Sequence, residues 1–157
     1  MNKGAVFSPC RKYRYTLWRI WEDKKPYVMF IGLNPSIADD SIDDPTIRKC
    51  INYCKSWGFG GLYMLNLFSY ISTNPDKIKD VQDPIGKEND SWLLKISKNS
   101  SIVIAAWGNH GDLNQRSDDV LSLIANMHCL KVNKTGHPAH PLYQKSNLQP
   151  SLLKHNY

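Results

Sequence analysis

The order of apolar and amphipathic segments predicts an α/β fold, a three-layer α/β/α sandwich around a central four-stranded parallel sheet. Three observations carry this. Short apolar runs, about five residues each, read as strands buried on both faces. Segments with apolar residues three and four apart stand between them and read as covering helices. The runs close on Asn34, Asn66 and Trp107-Gly108 rather than on hairpin turns. Right-handed crossovers bring the loops that follow parallel strands to one edge. That edge is where open α/β sheets bind ligands.

Residues 1–26 form a basic and aromatic segment. The run Tyr13-Arg14-Tyr15-Thr16-Leu17-Trp18-Arg19-Ile20-Trp21 alternates as an edge strand, with aromatics on the sheet and arginines toward water or phosphate. Basic residues interleaved with aromatics also suit single-stranded nucleic acid. The central strand is Tyr27 to Ile31, stopped by Gly32, which lets something approach the backbone. Asn34-Pro35-Ser36 is then a turn, since Pro35 has no N–H for the ladder. Asn34 either sits at the ligand-binding edge or belongs only to a turn capped by Ser36. Asp39, Asp40, Asp43 and Asp44 make an acidic cluster. Asp44 caps a helix over 45–57 with Pro45 at its first position, and Ile47, Cys50, Ile51 and Cys54 form its buried face.

The second strand is Leu62 to Asn66. Asn66 either pairs with a base edge or ties down its own loop. A loop over 71–84 leads to a helix at 84–98 with Ile85, Trp92, Leu93 and Ile96 inward. The third strand is Ser101 to Ala106, followed by Trp107-Gly108 and the polar loop Asn109-His110-Gly111. A helix at 116–127, with Leu121, Ile124 and Ala125 inward, precedes a last strand at Cys129 to Val132. The chain closes with Thr135-Gly136-His137-Pro138-Ala139-His140-Pro141-Leu142-Tyr143 and a polar tail over 144–157.

Composition sets outer bounds. With 157 residues, 41% of them hydrophobic and 22% charged, the chain reads as one globular domain, 1–157, and not as a disordered one. No stretch approaches the roughly 18 apolar residues of a membrane span, and Met1-Asn2-Lys3-Gly4 does not open a signal peptide. The expected protein is a cytoplasmic monomer. A net charge of +6 favours an anionic partner, with nucleic acid foremost. Among four cysteines, the helical spacing of Cys50 and Cys54 reads as a buried pair rather than a zinc site. No metal and no cofactor is expected, and no GxxxxGK or GxGxxG phosphate loop occurs.

With the four edge loops in view, the chain resembles the uracil-DNA glycosylase superfamily. Gly32-Leu33-Asn34-Pro35-Ser36 is similar to the first glycosylase motif, whose Asn positions the attacking water. Gly61-Leu62-Tyr63-Met64-Leu65-Asn66 resembles the strand whose terminal Asn reads the flipped base. Ile104-Ala105-Ala106-Trp107-Gly108 resembles the apolar strand ending in Trp-Gly. His137-Pro138-Ala139-His140-Pro141-Leu142 is similar to the His-Pro-Ser-Pro-Leu motif, whose His stabilises the departing base. Ser36 and Ala139 depart from the family residues, and one extra residue leaves both His137 and His140 as counterparts of its histidine. The same LNPS, DDPT, WG and HPLY pieces make the chain similar, over nearly its whole length, to the bacterial and phage domain-of-unknown-function family 1643.

The resemblance implies a uracil-DNA glycosylase-like domain that hydrolyses the N-glycosidic bond of a flipped, modified or damaged pyrimidine in DNA. The catalytic group is Asn34, His137, His140 and Asp44, with Asn34 orienting water, a histidine holding the base oxygen, and one of the acidic cluster as base. Base binding falls to Asn66, Phe68, Trp107 and Gly32, although Trp107 also suits core packing. The DNA backbone falls to Ser36, Arg14, Arg19, Asn109 and His110, although His110 also suits a solvated loop. Two alternatives stand beside this: a non-catalytic protein that binds nucleic acid or a modified base, and an enzyme acting on free nucleosides or nucleotides.

Overall fold

The structure is a computed structural model that describes residues 1–154; the last three positions of the expected 144–157 tail lie outside the described residues. Strands β1 (Asn2–Phe7) and β2 (Arg14–Ile20) pair antiparallel, and β3 (Tyr27–Gly32) follows. After helix α1 (Pro45–Ser56) come β4 (Gly61–Asn66), α2 (Asn89–Asn99), β5 (Ile102–Ala105), α3 (Arg116–Leu123), β6 (His128–Cys129) and β7 (Ser151–Leu152). Short 3₁₀ turns at Pro75–Asp80 and Pro141–Tyr143 complete the loops that matter below.

The strands make one mixed seven-stranded sheet in the order β1-β2-β4-β3-β5-β6-β7. The contacts β4-β3, β3-β5 and β5-β6 are parallel, and β1, β2 and β7 add antiparallel pairs at the two sides. The expected four-stranded sheet is therefore corrected to seven strands. The basic segment supplies two of them, and β2 is an inner strand rather than an edge.

Alternation sorts the core into two layers. Val28, Phe30, Leu62, Met64 and Ile104 pack with Ile47, Cys50, Ile51 and Cys54 of α1. Met29, Ile31, Leu65, Val103 and Ala105 pack with Leu93 and Ile96 of α2 and Val120 of α3. Asp44 caps α1 through Oδ1, which accepts the Ile47 N–H at 2.8 Å, and Pro45 opens the helix.

The later elements are shorter than expected. Helix α2 starts at Asn89 rather than 84, because the carbonyls of Pro84 and Ile85 accept from Tyr70 and Ser69 and hold that stretch against the β4 exit loop. Helix α3 ends at Leu123, where Ile124 is extended and Asn126 takes a positive φ of 61°. Val120 and Ile124 are buried there and Ala125 is exposed. Strand β6 stops at Cys129, and Val132 keeps only an isolated bridge to Pro138. No helix among the described residues is long and apolar enough to cross a membrane.

Candidate functional site

Strands β3 and β4 end side by side, with Gly32 in register with Asn66. The chain beyond is stitched to the same edge: Leu67 donates to the Gly32 carbonyl, Phe68 to Leu33 and Ala106 to Ile31, at 2.8–3.0 Å. Gly32 is a glycine for a packing reason. A Cβ there would lie 2.8 Å from Oδ1 of Asn66, closer than real Cβ contacts come. In front of this edge is a cleft of about 480 Å³. Gly32, Asn34, Asp44, Asn66, Trp107 and His140 all line it, and each comes from a segment singled out in the sequence.

Hydrogen bonds hold the side chains of Asn34, Asp44 and His140 in one orientation. The Asn34 amide donates both N–H groups, to the Pro35 carbonyl at 3.0 Å and the Ser72 carbonyl at 2.9 Å, so Oδ1 is the atom left to accept. Asp44 spends one oxygen on the α1 cap and keeps the other. Asn66 is buried; its backbone carbonyl receives Asn89 Nδ2 at 2.9 Å, while its own Nδ2 has no partner. Nδ1 of His140 accepts the Leu142 N–H at 3.2 Å, which puts the proton of the neutral ring on Nε2. Burial lowers the His140 pKa, partly offset by the nearby Asp44 carboxylate, so the neutral donor form is the one favoured. Trp107 is 2% exposed; it borders the cleft and packs in the core beneath.

The loop that delivers Asp44 is pinned from below by two buried arginines of β2. Arg19 binds Asp43 through Nε at 2.6 Å and the Asp39 and Ile42 carbonyls through Nη2 at 2.6 and 3.1 Å. Arg14 binds the Ala38 carbonyl through Nη1 at 2.7 Å. Asp39 closes the same loop by accepting the Ser41 and Ile42 N–H groups, which lowers its pKa.

These arginines correct the expectation of DNA-backbone contacts. Arg19 is fully buried and saturated with protein partners, so no phosphate reaches it. Arg14 is 3% exposed and lies in the cleft lining rather than on an outer face. Ser36, Asn109 and His110 do border the cleft, the latter two exposed. Asn109 Oδ1 accepts from Asn133 and Thr135, tying two rim loops together.

Of the two candidate histidines, His140 lines the cleft and His137 stands outside its lining. Phe68 is also outside. It is fully buried beneath the β4 exit, because the β4-to-loop hydrogen bond to Leu33 turns it into the core, and it cannot stack on a ligand there. Sequence reading missed Ser72, which orients Asn34; Asn89, which grips the end of β4; and Tyr143, 87% exposed at the rim. Only Tyr143 carried a signal, as the aromatic directly after the His-Pro motif. Among the described residues no group of His, Cys, Asp or Glu is arranged to hold a metal, and Cys50 and Cys54 are a buried pair.

A family model for proteins of unknown function (DUF1643) matches residues 14–142, and the chain belongs to that family. No curated protein and no solved structure matches the chain.

Proposed function

We propose that this member of the DUF1643 family is a DNA glycosylase-like hydrolase on a uracil-DNA glycosylase-like fold. Its substrate is a modified or damaged pyrimidine turned out of DNA, and the bond it cleaves is the N-glycosidic bond. The observation that carries the reading is the meeting in one cleft of Asn34 and Asp44 from the β3–α1 loop, Asn66 from the end of β4 and His140 from the loop after β6.

Oδ1 of Asn34, left free by two donated N–H bonds, accepts from the attacking water and aims its oxygen at C1′. An amide is too weak a base to take the proton, and the uncapped oxygen of Asp44 receives it. As the new C1′–O bond forms, the C1′–N bond breaks and its electron pair leaves with the base. Nε2–H of His140 donates to the oxygen on which that charge collects. A neutral imidazole suits this role, because it stabilises the anion without first surrendering its proton. Nδ2 of Asn66 reads an acceptor on the base edge, and a base without one leaves the amide unpaired at a cost. The exposed ring of Tyr143 offers a stacking face to a neighbouring base.

The test is incubation of the full chain with single- and double-stranded oligonucleotides carrying uracil, hydroxymethyl- or glycosyl-modified pyrimidines, scored for abasic sites. Product that disappears in Asn34→Ala and His140→Ala is the expected result. Tight binding without abasic product from any substrate defeats the hydrolase reading, and turnover confined to free nucleosides defeats the DNA substrate.

A further inference from the structure

The cleft contains a charge that glycosidic cleavage does not use. Three arginines are buried among the described residues, Arg14, Arg19 and Arg116. Arg19 pairs with Asp43 and Arg116 with Asp90, each at 2.6 Å. Arg14 forms no ion pair among the described residues. Its guanidinium makes one hydrogen bond, from Nη1 to the Ala38 carbonyl, and its buried Nε has no partner. Asp44 acts on it through space without closing a contact, its own Oδ1 being held by the α1 cap. Burial pushes the Arg14 pKa down to about 10, which still leaves the group charged at neutral pH.

A buried guanidinium is costly unless acceptors or an anion meet it. Its flat fork of donors matches the two oxygens of a carboxylate or phosphate. A second donor with no partner, Nδ2 of Asn66, belongs to the same lining. We propose that the cleft takes a ligand bearing an anionic oxygen group, a carboxylate or a phosphate, which Arg14 receives with Asn66 as the second donor. For the rest of the ligand this rests on the glycosidic reading above. A carboxylate places the charge on the base, and a phosphate places it on the sugar of a nucleotide or a strand end.

The test is calorimetric titration of the full chain with matched probes: uracil-5-carboxylate and uracil-6-carboxylate against their carboxamides, and uridine 5′-monophosphate against uridine. One charged probe binds at least about tenfold tighter than its neutral counterpart, as a charge-assisted contact at a buried site requires. The series that shows the preference names the source of the charge. Arg14→Gln abolishes the preference and Arg14→Lys restores part of it. No preference in either series overturns the anion site, as does a preference unchanged in a folded Arg14→Gln. The wild-type comparison decides even where that variant does not fold. The outcomes separate from the excision assay: charge preference without abasic product keeps the anion site and removes the hydrolase. Excision of neutral bases with no charge preference does the reverse.

Discussion

Gly32→Ala isolates the role of Asn66 with one added carbon. The position is not left-handed, so alanine adopts the existing backbone without strain. The new Cβ would stand 2.8 Å from Asn66 Oδ1, about 0.6 Å inside ordinary van der Waals contact. The neighbouring atom is the tip of a side chain, so the amide rotates away rather than the strands separating. An off-rotamer side chain costs about 0.5–1.5 kcal/mol. In a domain of this size each kcal/mol lowers Tm by about 2–4 °C, so the melt moves by only a few degrees. Function suffers more, because a group misplaced by about 1 Å costs on the order of 10²-fold in rate. The assay is excision of whichever base the oligonucleotide panel identifies, beside a thermal melt. In an Asn66→Ala background the alanine has nothing to displace, and its further effect falls to near unity. Full excision by Gly32→Ala, or an equal loss in both backgrounds, refutes Asn66 as the reader of the base.

Three further outcomes follow from the same geometry. His140 titrates lower in the fold than in the unfolded chain, whose value is near 6.5, so the unfolded chain binds more protons between the two values. The stability held by the neutral ring is present above about pH 6.5 and lost as pH falls below it. Melts from pH 5 to 8 show a steeper acid decline for wild type than for His140→Gln, and parallel profiles contradict this. Arg19→Leu strips Asp43 and two carbonyls of their partner and costs about 3–5 kcal/mol, read as a Tm drop of roughly 6–20 °C; an unchanged melt refutes the pinning role. Cys10 is exposed and its pKa is lowered by the Ser8 hydroxyl and then by Lys12, whereas burial raises those of Cys50, Cys54 and Cys129. Native alkylation at neutral pH therefore goes to Cys10, and early modification of Cys50 or Cys54 on mass spectrometry contradicts the described core.

The parallel centre of the sheet was legible because a strand buried on both faces must be apolar throughout, as Val28 to Ile31 and Ile102 to Ala105 are. Asp44 as a cap was legible because an Asp-Pro step before a three-and-four repeat has few other uses. The first strand was not. Asn2-Lys3-Gly4-Ala5-Val6-Phe7 has weak β preference, and its pairing with β2 is made by backbone bonds that composition does not announce. The start of α2 and the end of α3 were misjudged for a related reason. Gly86 takes a φ of +92° ahead of α2, and past α3 Ile124 is extended and Asn126 takes 61°, conformations set by tertiary contacts rather than local preference.

The arginines of β2 show why a charge pattern alone misleads about a site. Arg14 and Arg19 belong to a basic run interleaved with aromatics, and in a solvated strand they would face water or phosphate. What turns them inward lies some twenty residues away. The Ala38, Asp39 and Ile42 carbonyls and the Asp43 carboxylate come from a loop too short of apolar residues to hold itself. A loop of that kind needs buried donors if it is to present Asp44 in a fixed place. Arg19 meets the need completely and has no donor left for a ligand. Arg14 meets it through Nη1 alone, and its Nε without a partner, in the same cleft lining as the unpaired Nδ2 of Asn66, is what the proposed anion site rests on.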